Sequence, residues 1–154
     1  MISKHISEKE ATKSITALRL GLANTPNGNA LANMKQLAEK IFEPLREHVG
    51  GPIKINSMYR SEALNKAIGG SSRSQHCQGN AMDLDDIYGH KTNKEMFDFI
   101  REKLDFDQLI YEFGNEENPD WVHVSYVDEE KNRNRVLKAV RDKGKTVYID
   151  ITNK

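Results

Sequence analysis

Ser74-Gln75-His76-Cys77-Gln78-Gly79-Asn80-Ala81-Met82-Asp83, joined further along by Asp120-Trp121-Val122-His123, carries the densest chemistry in this chain. Hydrolytic zinc sites take three protein ligands from imidazole and carboxylate and leave a fourth position to water. His76, Asp83 and His123 offer two imidazoles and one carboxylate. Asp120, three residues before His123, can face the same cavity and take a proton from that water. Taken singly, a His among polar neighbours belongs to the surface and an Asp in a strand to an edge hydrogen bond. The combination, with Gly79 and Ala81 between His76 and Asp83 and with the second His inside an aromatic run, points to zinc.

The same segments make sense as backbone. Gly79 allows a positive φ or a close turn, and Ala81-Met82-Asp83-Leu84 alternates like a half-buried strand, with Ala81 and Asp83 on one face and Met82 and Leu84 on the other. Trp121 to Tyr126 is rich in aromatic and β-branched residues, and a period of two puts Trp121, His123 and Ser125 on one side. His76 then lies on a loop entering one strand, and two strands of one sheet converge their ligands. Asp120 sits where the chain bends.

Outward from this centre, helix and strand signals alternate. Ser7-Glu8-Lys9-Glu10 is a capping box opening a helix to about Leu20, closed by Gly21. Residues 24–28 are turn chemistry, and residues 30–48 show a helical apolar stripe through Leu31, Met34, Leu37, Ala38, Ile41, Phe42 and Leu45, with Pro44 expected to kink its last turn. Gly50-Gly51-Pro52 stops it, residues 53–56 form a short strand, and Ser61 caps a helix over residues 62–68 closed by Gly69. Thr92-Asn93-Lys94-Glu95 is a second capping box, beginning a helix that runs to Leu104. Residues 108–113 form a strand and 114–119 a loop; in the tail, residues 135–141 fit a helix or a strand and 146–151 a last strand. The tail's lysines and arginines are assigned to a solvated face.

Arg60 stands between the strand over residues 53–56 and the Ser61 cap, where it can fork onto a carboxylate or stabilise a developing oxyanion. Ser74 and Ser125 can hydrogen-bond the ligands or a bound peptide, and Glu112 can accept from the free nitrogen of a ligating His. Cys77 is the single cysteine, so no internal disulfide is available, and as the neighbour of a ligand on an extended segment it points away and serves as a filler.

Lys plus Arg equals Asp plus Glu at 23 each, interspersed along the chain, which excludes a basic face for nucleic acid. No apolar run approaches bilayer length, and residues 1–7 lack the apolar core of a secretory signal, so synthesis in the cytoplasm without stable membrane association is expected. A chain of 154 residues suits one domain, 1–154, acting as a monomer.

Ser74-x-His76-x-x-Gly79-x-Ala81-x-Asp83, with Trp121-x-His123-x-Ser125 downstream and Asn56-Ser57-Met58-Tyr59-Arg60-Ser61 upstream, resembles the zinc D-Ala-D-Ala carboxypeptidase and L-alanyl-D-glutamate endopeptidase family, whose fold is shared with the hedgehog signalling domain. The likeness extends along most of the chain, and the stretch from Glu10 to Pro26 is similar to the N-terminal helix and turn of short phage and bacterial members. Met58 departs from the glycine often found there. The resemblance implies an α+β fold, with helices on one side of a small, mainly antiparallel sheet and a zinc cleft on the other. It implies Zn2+ on His76, Asp83 and His123, Asp120 as general base, Arg60 facing substrate charge, and peptidoglycan stem peptides as substrates. A lysin of phage or prophage origin, made in the cytoplasm and reaching the wall after release or carried in a virion, reconciles the missing signal with a wall substrate. Two rivals are a hedgehog-like module that keeps zinc without hydrolysis and a phosphodiesterase using Asp83, Asp85 and Asp86 for magnesium or calcium.

Overall fold

β1 (Lys54–Ser57), β2 (Ala81–Asp85), β3 (Gln108–Glu112), β4 (Trp121–Ser125), β5 (Arg135–Asp142) and β6 (Lys145–Asp150) form one sheet in the order β1-β2-β4-β3-β5-β6, in a computed structural model that describes residues 1–154. All neighbours are antiparallel except β3 and β5, which run parallel. With its helices this is the expected α+β architecture. The alternation of β2 and β4 sends Met82, Leu84, Val122 and Val124 to one face, all fully buried. There they meet Met34, Leu37, Ile41, Phe42 and Leu45 of the long N-terminal helical segment and Met96, Phe97 and Ile100 of the helix Asn93–Lys103 in a cluster of 26 buried residues. Each such side chain contributes about 1.5–3 kcal/mol by leaving water, so this face anchors the sheet.

Three sequence expectations need correction. The helix expected from Ser7 to Leu20 is two helices, α1 (Glu8–Thr12) and α2 (Ile15–Leu20), with Lys13 and Ser14 extended. The carbonyls of Ala11 and Thr12, which would continue a helix, instead accept the Tyr59 N–H and the Asn24 side-chain amide, and Ser14 caps anew by accepting from the Ala17 N–H. Pro44 does not kink a last turn. A π turn over Ala38–Phe42 joins α3 (Gly28–Leu37) to α4 (Glu43–Val49), and the Glu43 N–H reaches back to the Ala38 carbonyl just before the residue that has no N–H to give. Third, the strand expected over residues 108–113 stops at Glu112, because Phe113 adopts φ 57°.

In the tail, residues 135–141 belong to β5, paired in parallel with β3 and closed onto β6 by Lys143-Gly144, both at positive φ, the conformation of tight hairpins. No helix is long and apolar enough to cross a membrane.

Candidate metal centre and its cleft

On the sheet face away from the core, the pairing of β2 with β4 sets Asp83 directly opposite His123. His76 reaches the same point from a 3₁₀ turn, Gln75–Gln78, that leads into β2. The turn is fixed at each end. The Ser74 hydroxyl accepts the His76 N–H at 3.3 Å, and Gly79 closes the turn at φ 77°, where a Cβ would lie 2.4 Å from the Ala30 carbonyl oxygen. Gln75 donates to Asp107 Oδ2 at 2.9 Å, and Asp107, its side chain only 2% exposed, is gripped by Arg133 at 3.0 and 2.8 Å.

His76 Nδ1 lies 2.8 Å from the Met58 carbonyl, which makes it the protonated nitrogen and leaves Nε2 with a lone pair. Nε2 is buried without a hydrogen-bond partner and stands 3.3 Å from Asp83 Oδ2; His123 Nδ1 is 2.9 Å from Asp83 Oδ1. One ligand atom from each residue lies within 4.8 Å of the others, and together the three residues could hold a metal ion. Burial favours neutral His76. Burial opposes ionisation of Asp83, but the two imidazoles outweigh it and hold the carboxyl below its ordinary range. One carboxylate and two imidazoles, one of them with an unused nitrogen lone pair, form a donor set that fits zinc.

These residues line a cavity of about 550 Å³ with Arg60, Ser74 and Glu112. Arg60 sits behind a β1 bulge, donates its N–H to the His76 carbonyl, and has a buried Nε without a partner. Glu112, on β3, makes no side-chain hydrogen bond; burial pushes its carboxyl up to about 7 against the attraction of His123. It therefore accepts from neither imidazole, and the Met58 carbonyl serves His76 instead. Asp120 is exposed and outside the cavity lining, although its backbone is clamped by the Glu112 carbonyl and the Asn93 amide. Ser125 is also outside it, fully buried with its hydroxyl bonded to the Gln108 backbone. Cys77, half-buried, is not part of the group.

Asp85 bonds the Asn93 amide, and Asp86 accepts the Gly89 and His90 N–H groups, so neither joins Asp83 at a metal. Sequence reading passed over Arg73, Phe113, Arg141 and Tyr148, all lining the cavity. For Arg141 a signal existed: read as a strand, residues 135–141 put Leu137, Ala139 and Arg141 on one face. For the Met58 carbonyl there was none, since a main-chain acceptor leaves no trace in residue identity.

Among curated proteins none matches this chain. A family model described as Peptidase M15 matches residues 4–125, most of the chain.

Proposed function

We propose, for a chain that belongs to the peptidase M15 family, a zinc peptidase of one domain, 1–154, that hydrolyses peptide bonds in peptidoglycan stem peptides. The observation that carries the reading is the gathering of His76, Asp83 and His123 on the cavity floor with the His76 Nε2 lone pair unused. Zinc on these residues would polarise a scissile carbonyl and acidify a water molecule. Asp83 brings negative charge and His76 a neutral imidazole, its tautomer set by the Met58 carbonyl. Arg60 would hold the substrate's carbonyl or carboxylate oxygen. Asp120, in the position the family resemblance implies, would take the proton from the attacking water and return it to the leaving amine.

Glu112 is a second candidate for that proton, favoured by its place in the cavity and by a carboxyl that titrates near neutrality. An endopeptidase is favoured over a carboxypeptidase by a second cavity, about 600 Å³, which shares Arg60 and Asp83 and so gives a peptide room on both sides of the group. The resemblance to short phage members supports a phage or prophage lysin. Incubation with purified peptidoglycan and mass analysis of the products tests the reading. Internal stem-peptide cleavage that stops on chelation and returns with zinc is the expected result, and no release from peptidoglycan by zinc-loaded protein would overturn it.

A further inference from the structure

Three arginines, Arg60, Arg73 and Arg141, line the cavity that holds His76, Asp83 and His123. None of the three forms an ion pair, whereas nearby Arg133 and Arg135 are engaged by Asp107 and Asp150. Arg141 is also held in place. Its guanidinium lies 4.4 Å from the centre of the Phe113 ring, and that ring packs edge-on against Trp121 at 5.4 Å. Phe113 is there because of its backbone. In a continuing strand it would follow Tyr111 toward the core; at φ 57° it turns instead to the cleft face, with its N–H bonded to the Ala139 carbonyl at 3.0 Å, and joins Ile110, Leu137 and Ala139. A bulky residue in the left-handed region is costly, and such strain persists where surrounding contacts enforce it.

A guanidinium stacked on a ring keeps its in-plane N–H groups free to fork onto a carboxylate. The register of the hairpin sets Thr146 beside Arg141 and Tyr148 beside Ala139, so β5 and β6 build one wall of the cleft. This wall lies beyond the residues that match the family model, 4–125.

We propose that Arg141, seated on Phe113 and backed by the β5–β6 hairpin, is a specificity residue that binds a free carboxylate of the peptide lying across the His76, Asp83 and His123 group. The assignment rests on the peptidase reading for its substrate class. A peptide with a side carboxylate is chosen over its amide because both carboxylate oxygens accept charge-assisted bonds from the guanidinium, whereas the amide offers one acceptor oxygen and turns an NH2 donor toward a group that can only donate.

The test uses the zinc-loaded chain and two synthetic stem peptides, one with a free glutamate α-carboxylate and one with that group amidated. Binding is read from the fluorescence of Trp121, the single tryptophan, and cleavage by mass analysis. The wild type is expected to bind the carboxylate peptide about 10- to 100-fold more tightly than the amide. Arg141→Gln loses that preference, with the cost in KM rather than kcat, and Arg141→Lys restores part of it. Phe113→Leu weakens the preference while leaving the charge. Equal binding of the two peptides by the wild type, or an equal loss for both in Arg141→Gln, would overturn the assignment. Retained discrimination in binding without cleavage of either peptide would instead sink the peptidase reading and leave the subsite standing.

Discussion

On one face of β2, β3 and β4, Met82, Leu84, Leu109, Val122 and Val124 are fully buried among other apolar side chains; on the opposite face of the same strands lie Asp83, His123 and Glu112. The first face satisfies every local rule of folding, since it is apolar, alternates with the pleat and packs against helices. The second breaks them. It gathers an anion, two imidazoles and a carboxyl whose pKa burial raises, leaves a buried nitrogen without a partner, and keeps an arginine nitrogen unpaired. Buried polar groups without partners destabilise a fold, so the packed face carries the stability that the open face draws on.

Substitutions on the two faces should therefore separate stability from chemistry. The largest effect is expected at the cleft group: His76→Ala, Asp83→Ala and His123→Ala should each lose bound zinc and peptidase activity together, measured as metal content against turnover on a defined stem peptide. Full activity in any of them, or in metal-free protein, would break the contrast at its centre. Next come the two carboxyls that compete for the proton. Asp120→Ala should keep zinc and fold and lose roughly 10²- to 10⁴-fold in turnover if it is the base, whereas Glu112→Gln should show that loss if the cavity-lining group is. Comparing the two variants decides the role.

On the packed face, Leu84→Ala should cost about 2–5 kcal/mol of unfolding free energy by urea denaturation, with turnover per folded molecule unchanged. Gly79→Ala belongs to both faces. The left-handed conformation at φ 77° and the contact with the Ala30 carbonyl predict a loss of about 1–2 kcal/mol or more, together with weaker zinc binding as the His76 turn shifts.

A further effect concerns pH. Glu112 titrates at about 7 in the folded protein against an ordinary value of 4.5, so between those values the folded state binds the extra proton. Its contribution to stability is present below 4.5 and lost as pH rises through 7. In metal-depleted protein, Glu112→Gln should flatten the fall in unfolding free energy between pH 5 and pH 8; an unchanged slope would mean that the carboxyl is solvated.

Much of this was legible along the chain. The capping box at Thr92 and Glu95 forms as read, Ser61 caps its helix, and the alternation in residues 81–84 and 121–126 assigned each side chain to its face. The three residues of the opening motif are the ones that converge within 4.8 Å. What failed did so where a tertiary partner competed with a local pattern. Tyr59 and Asn24 took the carbonyls that would have continued the first helix, and a positive φ at Phe113 reversed the face of a residue that alternation assigns to the core.

The chain's own residues determined periodicity, caps and donor chemistry, because these depend on side chains a few positions apart. Only the folded molecule decided that Ser125 is spent on the Gln108 backbone, that Glu112 lines the cavity while Asp120 is exposed, and that Arg141 comes to rest over Phe113. Each of these depends on strand register and on main-chain groups brought together from distant parts of the chain, and a backbone carbonyl or a neighbouring strand has no signature in the identity of the residue that meets it.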